Sequence, residues 1–191
     1  MMNPDHAGIL GSVWIRPTGT ALDAIERVVR LAHQSAGGPP VQPHVSLMGG
    51  IELTPDTAST FQRLASRITG FEIRLGKIEW RDEYYRSLFI RVEPSDELIA
   101  ARVAAHEAFG RLPSGPFEPH VSLLYGDFDE TFKNELAQRL GGRLDVCFMA
   151  SAVDLVNACE KVPIAQWTTL YQAALRPAPV EEQTFGIGSA R

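Results

Sequence analysis

One frame, Pro-His-Val-Ser-Leu, occurs at two places in this chain. Pro43-His44-Val45-Ser46-Leu47-Met48-Gly49-Gly50 returns as Pro119-His120-Val121-Ser122-Leu123-Leu124-Tyr125-Gly126, with differences only at the sixth and seventh positions. On an extended strand, side chains alternate between faces, so His44 and Ser46 share one face while Val45 and Leu47 take the other. His120 and Ser122 stand in the same relation to Val121 and Leu123. Each copy therefore buries two aliphatic residues and presents an imidazole and a hydroxyl about 6–7 Å apart. Two such edges facing one gap would hold an anion the size of a phosphate. Histidine titrates near neutrality, so one ring can accept a proton while the other donates one. Opening a phosphodiester with water needs that pair: a base for the water and an acid for the departing oxygen. The hydroxyls can hold the non-bridging oxygens, and a protonated ring adds charge stabilisation. This chemistry requires no metal.

A single His-x-Ser on a strand is more often structural than catalytic. The second copy shifts that balance, because packing accounts for a repeated valine and leucine but not for a repeated histidine facing away from them. Each copy follows a Pro/Gly-rich stretch, Gly37-Gly38-Pro39-Pro40 or Pro113 to Pro119, and each precedes a helical segment. The repeat divides the chain into two similar lobes. If they pack about a pseudo-two-fold axis, both polar edges converge on one cleft.

The remaining segments fit that arrangement. Residues 9–15 read as a strand ended by Arg16-Pro17, and Thr18 or Thr20 can cap a helix with Leu22, Ile25, Val28, Val29 and Leu31 or Ala32 inward. Residues 43–53 form a strand. Thr54-Pro55-Asp56 opens a second helix with Phe61, Leu64, Ala65 and Ile68 on one face. Residues 71–80 and 87–92 predict a hairpin joined by the polar run 81–86. A third helix spans 96–109 behind Pro94-Ser95-Asp96, with Gly110 past its end. A strand at 120–125 leads to a fourth helix over 127–140, and strands at about 143–156 and 164–175 close the fold. No Gly-rich loop marks a strand-to-helix turn, and the short strand-to-strand links favour antiparallel pairing. The fold class is α+β rather than a doubly wound parallel sheet. One domain over residues 1–176 is expected, with a flexible tail from 177 to 191.

On these motifs the chain resembles the 2H phosphoesterase superfamily, whose signature is two His-x-Thr/Ser motifs on related strands. Within it the resemblance is to the cyclic phosphodiesterases of plants and yeasts. It rests on Ser12-Val13-Trp14, the Gly-Gly-Pro before the first motif, and Pro119 to Asp127 at the second, and it runs from about Gly11 to Leu175. The resemblance implies a bilobal α+β fold, two antiparallel sheets with flanking helices around a central cleft, and hydrolysis of ADP-ribose 1″,2″-cyclic phosphate to the 1″-phosphate and of nucleoside 2′,3′-cyclic phosphates to 2′-phosphates. It implies His44 and His120 as the acid–base pair, with His120 leaning to base and His44 to acid. Ser46 and Ser122 would bind the phosphate, and Tyr125 would contact substrate or an ordered water. Ser46 stands where threonine is frequent, which keeps the hydroxyl but loosens its rotamer.

Trp14, Tyr85 and Arg86 are further candidates for lining the substrate. Trp80 could stack a base, although strand aromatics are usually core. His6, His33 and His106 share no ligand spacing with a cysteine or carboxylate, so neither a metal nor a cofactor is expected. His33 suits a helix C-terminus as a partly positive ring, and His106 reads as solvated. Cys147 and Cys159 read as packed thiols of a reducing, cytoplasmic protein.

The net charge of −5, with 18 scattered Lys and Arg residues, argues against a stable complex with long nucleic acid. No apolar run is long enough for a bilayer, so the expected partner is a small cyclic phosphate bound by a monomer. A 2′,5′-phosphodiesterase, an RNA-ligase-like or RNA 3′-end-processing relative, and a binding module without turnover are the competing readings. Both motifs being intact disfavours the last.

Overall fold

The computed structural model describes residues 10–39, 41–159 and 161–178. His6 and the tail beyond residue 178 lie outside them. Among the described residues, eight strands and four α-helices follow in chain order as β1 (Leu10–Ile15), α1 (Gly19–Ala36), β2 (Val45–Glu52), α2 (Thr57–Ala65), β3 (Phe71–Glu79), β4 (Leu88–Val92), α3 (Asp96–Ala108), β5 (His120–Leu124), α4 (Glu130–Arg139), β6 (Cys147–Ala150), β7 (Ala152–Val156) and β8 (Thr169–Ala174).

The sheet order is β6-β3-β4-β5-β2-β1-β7-β8, antiparallel at every junction. Its two four-stranded halves, β6-β3-β4-β5 and β2-β1-β7-β8, correspond to the two sheets that the family resemblance implies. They join through one residue pair, Val45 opposite Val121. These valines occupy the same place in the two copies of the motif, so the junction lies on the pseudo-two-fold axis. The helices cross that axis: α1 packs on β5 of the other half, and α3 on β2.

The core lies between helices and sheet. Val45, Leu47, Val121 and Leu123 are all buried there, as the alternation requires. On α1 the inward residues are Ala21, Ile25, Val28, Val29 and Ala32, so Ala32 fills the last inward place and Leu31 is exposed. Ser95 caps α3 by accepting from the Leu98 amide, and Asp129 caps α4 by accepting from Phe132. Thr18 has the backbone of a cap without a side-chain hydrogen bond.

Two expectations need correction. The run 143–156 is two strands, not one: it breaks at Ser151, and β6 and β7 go to opposite halves of the sheet, on β3 and β1 respectively. Residues 164–166 form a 3₁₀ turn rather than the start of a strand. That turn brings Trp167 to the sheet.

Candidate active site

Strand register places each polar pair. Trp14 on β1 lies opposite Ser46, and Phe89 on β4 lies opposite Ser122. Directly opposed residues point to the same face, so His44, Ser46 and Trp14 share a face, as do His120, Ser122 and Phe89. All of these but Phe89 border one cavity of about 330 Å³, together with Ser12, Glu83, Tyr85, Arg86, Tyr125, Ala158, Cys159 and Trp167. The structure thus brings together His44, Ser46, His120, Ser122, Tyr125, Trp14, Tyr85 and Arg86.

The two imidazoles are anchored alike. His44 Nδ1 lies 2.6 Å from the Gln42 carbonyl oxygen, and His120 Nδ1 lies 2.9 Å from that of Glu118. A carbonyl oxygen only accepts, so in both rings Nδ1 carries the proton and the neutral ring leaves Nε2 as a free base. The acceptor is two residues upstream in each copy, a second sign of duplication.

Their surroundings differ. His44 lies flat on Trp14, with ring centroids 3.5 Å apart and planes within 9°. Phe89 meets His120 at 5.1 Å and a tilt of 58°. His44 is buried, and its pKa falls to about 3, chiefly through desolvation, with the charges of His120 and Arg16 adding to the effect. The His120 pKa is also lowered by burial and by Arg86, but the carboxylates of Glu118 and Glu83 oppose the fall.

The hydroxyls are unequal too. Ser46 is exposed, whereas Ser122 is buried and donates to the Tyr85 carbonyl at 3.3 Å. Tyr125 hydrogen-bonds with Ser122, and burial pushes its pKa up to about 12, so its hydroxyl stays protonated. Gly126 turns the chain beyond it with φ of 144° and donates to the Tyr84 carbonyl at 3.0 Å. A Cβ there would sit 2.6 Å from the Phe128 ring, so the last position of this copy requires glycine.

Arg86 reaches the cavity wall already paired. Its guanidinium donates to both carboxylate oxygens of Glu83, at 2.9 and 2.6 Å, and to Glu118 at 2.8 Å. Trp14 lines the cavity with one face covered by His44. Two further aromatic rings line it, those of Tyr85 and of the buried Trp167, which the sequence reading missed. Their rings lie 6.3 Å apart and within 28° of parallel. Trp167 is held by a bond from its indole nitrogen to the Val162 carbonyl at 3.0 Å. A lone tryptophan between Gln166 and Thr168 was the only available signal.

Other candidates lie elsewhere. Trp80 packs under Lys133, 4.7 Å from its ring, away from the cleft. His106 is buried rather than solvated, because α3 turns it inward. Burial lowers the pKa of His33 instead of favouring a positive ring. Cys147 is exposed rather than packed, and Cys159 borders the cavity. Among the described residues, no three His, Cys, Asp or Glu side chains form a metal-binding group, and no helix is long and apolar enough to cross a membrane.

The 2′-5′ RNA ligase superfamily matches residues 17–160, a stretch that includes both motifs. The Cyclic phosphodiesterase of Arabidopsis thaliana is 23% identical over 172 residues, covering 87% of this chain and 95% of that protein. Among solved structures, TT0787 of Thermus thermophilus matches with a TM-score of 0.60 at 19% identity, covering 88% of this chain and 98% of that one. E. coli LigT complexed with 3′-AMP also matches with a TM-score of 0.60, at 16% identity, covering 86% and 97%. These structural likenesses show a common fold.

Proposed function

The chain belongs to the 2′-5′ RNA ligase superfamily, the 2H phosphoesterases, and from that premise we propose that it hydrolyses a small cyclic phosphate by two-histidine acid–base catalysis. The observation that carries this reading is the pair of carbonyl-anchored imidazoles opening on one cavity. The proposed substrates are nucleoside 2′,3′-cyclic phosphates, opened to 2′-phosphates, and ADP-ribose 1″,2″-cyclic phosphate, opened to the 1″-phosphate. The name of the Arabidopsis relative supports this class. So does the cavity, whose size suits one nucleotide better than a strand. Tyr85 and Trp167 supply faces against which a base can lie. The two unbridged cysteines fit a reducing, cytoplasmic setting.

In the proposed reaction, water attacks phosphorus in line with the ring oxygen that leaves. His44 Nε2 takes the water proton as the new P–O bond forms. A protonated His120 Nε2 gives its proton to the ribose oxygen as the ring P–O bond breaks, and the product is a phosphomonoester. This reverses the assignment implied by the family resemblance. Burial and Arg16 hold His44 neutral, as a base must be, while at His120 the lowering by burial and Arg86 is opposed by Glu118 and Glu83, which favour its charged form. Ser46 and Ser122 donate to the non-bridging oxygens, Ser122 by turning from the Tyr85 carbonyl, and Tyr125 supports Ser122. Charge supplied by an imidazolium and neutral donors makes the reaction metal-independent in this reading.

The test is incubation, with chelator present, with 2′,3′-cyclic AMP, ADP-ribose 1″,2″-cyclic phosphate and a short 2′,5′-linked oligomer. Turnover of the first two with a bell-shaped pH dependence is expected. Cleavage of the oligomer alone would favour the 2′,5′-phosphodiesterase reading that the superfamily's description suggests. Binding without turnover would make the chain a binding module. Loss of activity with chelator would remove the metal-free mechanism.

A further inference from the structure

Behind His44 lies a layer of polar and aromatic groups that the proposed chemistry does not use directly. The Trp14 indole, almost fully buried, lies parallel to the imidazole at 3.5 Å. Its plane is fixed by a short chain: the indole nitrogen donates to Ser12 Oγ at 2.9 Å, and that hydroxyl donates to the Met48 carbonyl at 2.9 Å. Met48 lies on β2, the strand that follows His44. The indole is therefore tied to the strand whose histidine it supports.

A second tie runs through Arg16, 5.4 Å from the indole centroid. Its Nε pairs with the buried carboxylate of Asp154, its Nη1 donates to Gln42 Oε1 at 3.0 Å, and its Nη2 donates to Thr169 Oγ1 at 3.0 Å. Asp154 also accepts from Gln172 at 2.9 Å. The Gln42 side-chain amide donates to the Trp167 carbonyl at 3.1 Å. Gln42 is thus gripped at both ends of its amide, and its backbone carbonyl takes the His44 Nδ1 proton at 2.6 Å. A carboxylate on β7, a guanidinium beyond β1 and a glutamine before β2 converge on one ring nitrogen.

We propose that Trp14 and Arg16 are positioning residues of the reaction: the indole fixes the plane of the His44 ring, and the guanidinium fixes the carbonyl that fixes its tautomer, so that Nε2 meets the attacking water in one orientation. The proposal rests on the reading of His44 as a reacting group. A flat face 3.5 Å from the imidazole resists tilting, whereas a tilted neighbour such as Phe89 leaves that freedom. A neutral imidazole with a secured Nδ1–H presents its lone pair only at Nε2. Misplacement by about 1 Å can cost about 10²-fold in rate, so a device with no atom on the substrate can still govern turnover. Asp154 is the base of the device, since it holds the guanidinium in the plane that reaches Gln42.

The test uses Trp14→Leu, Trp14→Phe and the double variant Arg16→Met/Asp154→Asn, which leaves no buried charge unpaired. Two readouts are taken: kcat and KM on 2′,3′-cyclic AMP, and the ¹⁵N imidazole spectrum of the ligand-free protein, which reports the tautomer of His44 without turnover. Trp14→Leu should lower kcat about 10- to 10²-fold with KM within about twofold, and Trp14→Phe, which keeps a flat face, should recover most of that loss. The double variant should show a mixed tautomer at His44 and a lower kcat. If Trp14→Leu fails to fold, the double variant decides. Unchanged kcat and tautomer in folded variants overturn the proposal, and so does a raised KM at constant kcat, which would put Trp14 on the substrate. Wild-type protein with a single tautomer but no turnover of any cyclic phosphate would contradict the proposed function while leaving the geometric device in place.

Discussion

His44 rests against a buried indole beside a guanidinium, while His120 leans on a tilted phenyl ring beside two carboxylates. The strands that carry them are nearly identical in sequence, and each ring meets a backbone carbonyl two residues upstream. The difference comes from the neighbouring strands. β1 places Trp14 opposite Ser46, and β4 places Phe89 opposite Ser122. Arg81 lies over Phe89 at 5.5 Å as Arg16 lies over Trp14 at 5.4 Å. Arg81, however, pairs with the partly exposed Glu79 and Glu118, whereas Arg16 pairs with the buried Asp154. Duplication therefore sets where the two imidazoles stand, and in the proposed mechanism the flanking strands set which gives and which takes a proton.

The comparison breaks most visibly if the histidines are removed. His44→Ala and His120→Ala should each lower kcat on 2′,3′-cyclic AMP by about 10²- to 10⁴-fold. Their residual pH profiles should differ. A base works above its pKa and an acid below it, so His44→Ala should lose the acid limb and His120→Ala the alkaline limb. The opposite pattern would restore the assignment implied by the family resemblance. The hydroxyls come next. Ser122→Ala should cost about 10²-fold in kcat, and Ser46→Ala less, because the exposed Ser46 can be replaced by water. Equal losses would mean that burial does not distinguish the two edges.

A smaller effect is expected on the cleft wall. Trp167→Ala should raise KM for nucleoside cyclic phosphates about tenfold, the size of one lost stacking contact, with kcat little changed. A base-free cyclic phosphate such as glycerol 1,2-cyclic phosphate should show no change. The smallest effect sharpens the electrostatic contrast. The Glu118 carboxylate raises the pKa of His120, so Glu118→Gln lowers it. An acid that loses its proton at lower pH moves the alkaline limb of the profile to lower pH. A shift to higher pH, measured on kcat, would show that Glu118 does not act on His120 in this way.

Much of this was legible in the residues themselves. Alternation in Pro-His-Val-Ser-Leu fixed which side chains face the cleft, because a strand has only two faces. The cap at Ser95 was legible in Pro94-Ser95-Asp96, whereas α4 starts at Glu130 behind Asp129 rather than at Asp127. What could not be read arises at long range. Nothing local marks Ser151 as a break, since both β6 and β7 carry strand-forming residues and only the sheet edges they join separate them. Trp167 reaches the cleft through a 3₁₀ turn that its own segment does not announce. The contrast between the two histidines depends on Trp14, Arg16, Asp154 and Glu118, which are distant in sequence or carry no motif. Arg86 was legible as a cation near the site, but its pairing with Glu83 and Glu118 was not.

The most direct measurement is a crystal structure with uridine vanadate, a mimic of the five-coordinate state reached from a 2′,3′-cyclic phosphate. Both Nε2 atoms should lie within about 3 Å of oxygens on the same vanadium, with His44 at the water position and His120 at the ribose oxygen. Vanadate held by one ring alone, with the other imidazole turned to a separate surface, would contradict the account.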